Sequence, residues 1–166
     1  MKPARGVVWI HSAPAVLCSH IDWALSSALG VVVRLEWTPQ PALPGTLRAE
    51  YEWTGARGSG AKLASALRGC VRVRFEVTED ASAAGEGTRW SYTPSLGVHT
   101  ATIGANGDVL VTEQRLKRAV AADALGQRPL ADAISDLLGL PWDAELEPFR
   151  YASEGASVRW YTSHVG

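Results

Sequence analysis

Three runs in the first half of the chain close with the same acid–any–Thr ending, and their patterning leaves little choice of structure. They are Val31–Thr38 (VVVRLEWT), Leu47–Thr54 (LRAEYEWT) and Val71–Thr78 (VRVRFEVT). Val33, Leu35 and Trp37 share one parity in the first run. Leu47, Ala49, Tyr51 and Trp53 share one in the second, as do Val71, Val73, Phe75 and Val77 in the third. The opposite parity carries Arg34, Glu36, Arg48, Glu50, Glu52, Arg72, Arg74 and Glu76. Successive side chains of a strand point to opposite faces, so these runs predict half-buried strands in a sheet with one apolar and one charged side. Trp37 and Trp53 fall with the apolar parity and are expected in the core.

The segments between them follow. Gly6–Ser12 reads as a strand. A helix is expected from about Pro14 to Leu29, capped by Ser12 and closed by Gly30, with Leu17, Ile21, Leu25 and Ala28 inward. The second and third strands should form a hairpin across Pro39–Gly45. If Thr38 pairs near Thr46, Glu36 faces Arg48 and Arg34 faces Glu50, which places opposite charges side by side. Gly55–Gly69 is a glycine-rich loop opening a short helix, with Leu63, Ala66 and Leu67 as its apolar stripe. The order strand, helix, strand, strand, helix, strand is that of the ferredoxin-like split βαβ unit.

The second half begins after an acidic, small-residue loop over Glu79–Gly87. Thr88–Thr93, Gly97–Ile103 and Val109–Val111 read as a meander, with Asn106-Gly107 as a hairpin turn. Thr112 should cap a helix to Leu125, with Leu116, Val120 and Ala124 inward and Gly126 as its stop. Pro129 opens a helix that runs to Leu138 and closes at Gly139. Leu140–Tyr151 reads as a short helix interrupted by Pro148, and Val158–Thr162 as a last strand. The expected architecture is α+β and a single compact domain over 1–166. Its 1–80 half is ferredoxin-like, and its 88–166 half is an antiparallel meander with C-terminal helices.

Composition narrows the function. The chain has 166 residues and a formal charge of −1, so it has no global basic field to attract nucleic acid or anionic lipid. No apolar stretch approaches the ~20 residues that a membrane span needs. The start, MKPARGVVWIHSAP, lacks the apolar core of a signal peptide. A cytoplasmic protein is expected. The two cysteines, Cys18 and Cys70, are expected as buried free thiols. Seven tryptophans are many for this length, which raises the chance that some serve an interface.

Six phrases carry a resemblance: VVWIHSAP (7–14), LPGTLRAE (43–50), GSGAKLASALRG (58–69), RFEVTED (74–80), RWSYTPSLG (89–97) and ELEPFR (145–150). They span nearly the whole chain. On them it resembles an uncharacterised actinobacterial domain-of-unknown-function family. The resemblance implies a genomic setting beside type II fatty-acid-synthesis genes, and it assigns no catalytic residue. On the resemblance, Ser59 stands where Thr is expected as often as Ser, and Cys70 where an aromatic is expected. The second departure argues against a catalytic Cys70.

Several constellations invite chemistry. The loop Gly55, Arg57, Gly58, Ser59, Gly60 precedes a helix, so its N–H groups suit an anion, with Arg57 and Lys62 adding charge. It lacks a Gly-Lys-Ser/Thr ending and a third glycine at dinucleotide spacing, and a plain strand-to-helix turn is the alternative. His11 closes the first strand, a usual place for ligand contacts. Cys18, His20 and Asp22 sit two apart on a helix and point in different directions, so no metal set and no thiol–base pair is expected. Asp143, Glu145 and Glu147 read as a helix cap and solvated carboxylates. The charged face formed by Arg34, Glu36, Arg48, Glu50, Arg72, Arg74 and Glu76 has mixed sign. Its aromatics lie on the opposite side, which does not suit RNA. Solvent, residues 88–166 or a protein partner are its three possible neighbours.

The leading expectation is a non-enzymatic interaction or regulatory protein with a protein partner, tied by family setting to fatty-acid synthesis. No catalytic residue, metal or cofactor is assigned. The alternative is a binder of, or enzyme for, a small acyl-linked or phosphorylated metabolite, using the Gly55–Gly60 loop and His11.

Overall fold

Two of the three alternating runs supply strands of a mixed α/β protein. The computed structural model describes residues 2–152, and the expected strand Val158–Thr162 lies outside them. Seven strands form one open antiparallel sheet in the order β2-β3-β1-β4-β5-β6-β7. In chain order they are β1 (Ala4–Pro14), β2 (Thr38–Pro39), β3 (Thr46–Gly55), β4 (Arg74–Glu79), β5 (Gly87–Thr93), β6 (Gly97–Ile103) and β7 (Val109–Leu110). Five helices accompany them: α1 (Cys18–Leu29), α2 (Ser59–Arg68), α3 (Glu113–Ala124), α4 (Leu130–Leu138) and α5 (Leu140–Tyr151). None of the described helices is long and apolar enough to cross a membrane.

The register puts the apolar parity on one face. Ile10 lies opposite Ala49 and Phe75, and Val8 opposite Tyr51 and Val77. Ile21 and Leu25 of α1 and Leu63 and Leu67 of α2 close over this face, all fully buried. Trp53 is buried as expected, and its indole donates to the Thr78 carbonyl at 3.1 Å. β1 and β4 run so close that a Cβ on Gly6 would fall 1.8 Å from the Thr78 carbonyl oxygen, so only glycine fits.

The first expected strand is the main correction. Of Val31–Thr38 only Thr38 pairs, opposite Arg48. The competing partner is α1. Ser26 Oγ accepts from the Val33 N–H at 2.8 Å, and Asp22 Oδ1 accepts from Leu35 N at 3.4 Å and Trp37 Nε1 at 3.2 Å. Val33 and Leu35 keep their inward parity and are buried, but their backbone bonds go to helix side chains rather than to β3. The charge ladder therefore does not form: Arg34 and Glu36 stay exposed on this flank, away from Glu50 and Arg48. Trp37 is only half-buried.

Smaller shifts have local causes. Proline has no N–H to give, and Pro14 ends β1 while a short 3-10 turn, Ala15–Leu17, precedes α1. Ser12 lies in β1 and accepts from Arg74 instead of capping the helix. β4 starts at Arg74, leaving Val71 exposed in a turn. Pro148 does not interrupt α5, which runs through it. On α3 only Ala119 is buried, so Leu116 and Val120 face outward, contrary to the stripe expected.

Candidate functional site

The charged parity forms the second face of the sheet, and the structure divides that face in two. One transverse row shows the division: Glu50, Trp9, Glu76, Ser91 and His99 lie side by side across β3, β1, β4, β5 and β6. α5 crosses the β6-to-β4 half. Near its start Trp142 Nε1 donates to the Gly97 carbonyl at 2.9 Å, and the Trp142 ring lies 4.8 Å from that of His99. Ser95 Oγ donates to the Glu145 carboxylate at 2.6 Å. Near the helix end the Arg74 guanidinium stacks on Phe149, 4.7 Å from the ring centre. Gly139, which turns the chain from α4 into α5, has φ +76 and no room for a Cβ, whose nearest neighbour would be the His99 ring at 2.8 Å. That ring is kept more neutral than a free histidine, chiefly by burial.

Under α5 lies a connected group of buried titratable side chains. β1 carries a bulge after Ile10, so Ile10, His11, Ser12 and Ala13 are all buried in succession. The bulge aims His11 across to β4, where Nε2 meets Glu76 Oε2 at 2.7 Å. Arg150 grips both oxygens of the same carboxylate, with Nε at 3.0 Å from Oε2 and the NH2 group on Oε1. That NH2 group also reaches Asp143 Oδ1 at 3.0 Å. Burial alone would raise the Glu76 pKa. The Arg150 charge and the His11 hydrogen bond outweigh it and hold the carboxyl well below the ordinary range. An ionised carboxylate only accepts, so His11 Nε2 carries the proton toward it. Glu76, His11 and Arg150 are all nearly inaccessible, at 2%, 8% and 6% exposure, so the network serves to fasten α5 to the sheet.

The site residues read from sequence thus separate. Arg74 and Glu76 lie beneath α5, Arg72 stands exposed in the turn before β4, and Arg34 and Glu36 sit on the flank by α1. Arg48 and Glu50 remain on the β1–β3 half, outside the hydrogen-bonded network of Glu76, Arg150 and Asp143. There Val7 and Trp9 of β1 stand beside Glu52 and Glu50 of β3. Partial burial and the neighbouring Glu52 raise the Glu50 pKa, against a hydrogen bond from Trp9 and the charges of His11 and Arg48.

The glycine loop and His11 are not brought together. Gly55 pairs with Ala4 at one end of β1, while His11 lies near the other end. The N–H groups that could hold an anion are already engaged: the Glu79 carboxylate accepts from Gly58 N at 3.1 Å and from Gly60 N at 3.0 Å. Ser59 is buried. Arg57 points toward Gly85. Cys18 and Cys70 are free and buried, and burial raises both thiol pKa values, which disfavours the thiolate. His20 stacks on Trp23 rather than meeting Cys18. Among the described residues no group of three or more His, Cys, Asp or Glu is placed to hold a metal ion. A cleft of about 560 Å³ opens beside α5, with Arg89, Asp143, Glu147 and Arg150 in its lining.

Sequence reasoning missed Arg150 as the partner of Glu76 and Asp143 as the second partner of Arg150. Arg150 falls within the ELEPFR phrase, but nothing local to it signals a buried ion pair. A family model for DUF3145, described as a protein of unknown function, matches residues 7–163. The chain belongs to the DUF3145 family. No curated protein and no solved structure matches it. The match takes in β1 from Val7 on, the Glu76 network and α5, so the divided sheet face lies within the DUF3145 region.

Proposed function

We propose that this DUF3145 chain is a protein-interaction module whose contact surface is the β1–β3 half of the second sheet face. The observation that carries the reading is the division of that face. On the β4–β6 half the Glu76 charge is met by Arg150 of α5, which also holds Asp143, and by His11 reaching across from β1. The other half presents Arg48, Glu50 and Glu52 around Val7 and Trp9, an apolar centre with a charged rim of the kind that protein interfaces use. A link to fatty-acid synthesis in actinobacteria, which rests on the family resemblance, and a cytoplasmic setting belong to the same proposal. So does assignment of the first four strands and two helices to the ferredoxin-like split βαβ unit, which the antiparallel order β2-β3-β1-β4 supports.

The test reverses two charges on this half. Arg48→Glu with Glu50→Arg should leave the melting temperature near wild type and abolish co-purification of a partner from the native host. An equal recovery of the same partner by the doubly reversed chain would overturn the reading.

A second reading, binding of a small anionic metabolite, is favoured by the cleft with Arg89 and Arg150 in its lining. Such a ligand would have to compete with Glu76 and Asp143 for Arg150.

A further inference from the structure

We infer that the outer face of α1 and α2, across the sheet from Arg48 and Glu50, is a docking groove for an acidic amphipathic helix of a partner protein. The two helices turn Ile21, Leu25, Leu63 and Leu67 onto the sheet. What they leave outward is small. A cleft of about 620 Å³ opens between them, with Ala24, Ala28, Ala61 and Ala66 in its lining. The distance between packed helices follows the side chains at the contact, so alanines let a third helix come close. Trp23 also lines the cleft and is 65% exposed, its ring stacked on His20 with 5.6 Å between centroids. A large aromatic left in water beside a hollow is the kind of residue that anchors a protein interface.

Charge selects the occupant. Besides His20, the charged or titratable residues of α1 and α2 that bear on the groove are Asp22, Lys62 and Arg68. Asp22 turns to the 33–37 flank, where Oδ1 accepts from Leu35 N and Trp37 Nε1. Lys62 lines the cleft, and Arg68 follows the lining residue Ser65 by three positions, on the same helix face. Both are exposed, and neither is in an ion pair among the described residues. The two helices thus offer cations and no free carboxylate, although the whole chain carries −1. A second copy docking by the same face would set Lys62 and Arg68 against their own kind. A bilayer is flat and takes up bulky apolar groups that stand out from a surface, whereas this one is hollow and floored with alanine. A helix with an apolar seam and acidic flanks matches the hollow in shape, polarity and sign.

The groove stands apart from the β1–β3 surface, and its test uses other residues. Amphipathic helical peptides with a leucine seam, and Glu, Lys or Ser at the flanking positions, are displayed as a library and selected on the immobilised full-length chain. The retained pool should be enriched in Glu severalfold over the input. Trp23→Ala should lower its retention about tenfold. Lys62→Glu with Arg68→Glu should turn the selection from Glu to Lys, because the same hollow then carries the opposite sign. These side chains are exposed, so both variants should melt near wild type. No retention above the bare support, a pool without charge preference, or an acidic pool that both variants hold as well as wild type would overturn the inference. Flotation with vesicles of phosphatidylcholine and phosphatidylglycerol that Trp23→Ala abolishes would name a membrane as the occupant. Self-association in sedimentation that the same variant abolishes would name a second copy. Either result would also overturn it.

Discussion

At the scale of single residues, Glu76 decides most. It is a carboxylate at 2% exposure that joins β1, β4, β5 and α5 through His11, Ser91 and Arg150. A buried ion pair adds little over an apolar substitute, but breaking one from a single side strands the other charge, at roughly 3–5 kcal/mol. Glu76→Ala should therefore lower the melting temperature by roughly 10 °C, at about 2–4 °C per kcal/mol for a chain of this size. The pH dependence has a definite sign. Folding lowers the Glu76 pKa below its ordinary 4.5, so the unfolded chain binds the extra proton first as pH falls. The stabilisation is whole above 4.5 and declines below it. Glu76→Gln should be less stable at neutral pH and lose part of that acid decline. Denaturant titrations at pH 7 and at acid pH measure both, and a variant with the wild-type midpoint and slope would show that Glu76 does not hold α5.

Among elements, the informative one is the segment that sequence patterning casts as a strand and that folds as a flank. Residues 31–37 have the right alternation, and Val33 and Leu35 are buried on the expected side. Parity alone does not say which neighbour will take the backbone N–H groups. Here Ser26 and Asp22 of α1 take them, four residues apart on one side of the helix. Asp22→Ala removes the acceptor of Leu35 N and Trp37 Nε1 and should cost about 1–3 kcal/mol. Trp37 fluorescence should shift to the red in the folded variant, and an unchanged spectrum and midpoint would mean that the flank is held by packing alone. Other elements were legible because their signals are local: Asn106-Gly107 at the turn, Thr112 accepting from Arg115 N, and Gly139 at a left-handed φ. Not legible was the burial of α3, whose apolar stripe at Leu116 and Val120 turns outward while Ala119 packs. A helical repeat of apolar residues marks a face without naming what meets it.

For the whole molecule, the sheet's charged face is the unit that sequence could list but not divide. The residues were all visible by parity. Their fate depends on where α5 lands, and that rests on long-range pairs such as Glu76 with Arg150 and Arg74 with Phe149. Arg72 and Arg74 make the division measurable, because they are neighbours in sequence with opposite surroundings. Arg72 stands exposed before β4. Arg74 donates to Ser12, stacks on Phe149 and helps to lower the Glu145 pKa, whose main cause is the Ser95 hydrogen bond. Arg72→Glu should change stability by no more than about 0.5 kcal/mol, as for most surface sites. Arg74→Glu loses the stacking and sets a new carboxylate near Glu145, an unpaired charge beneath α5, so a loss of about 2 kcal/mol or more is expected. Salt should soften that loss only weakly, since partly buried charges are poorly screened. Equal midpoints for the two variants in urea would mean that α5 does not cover this half of the face, and the division on which the proposed surface rests would fall with it.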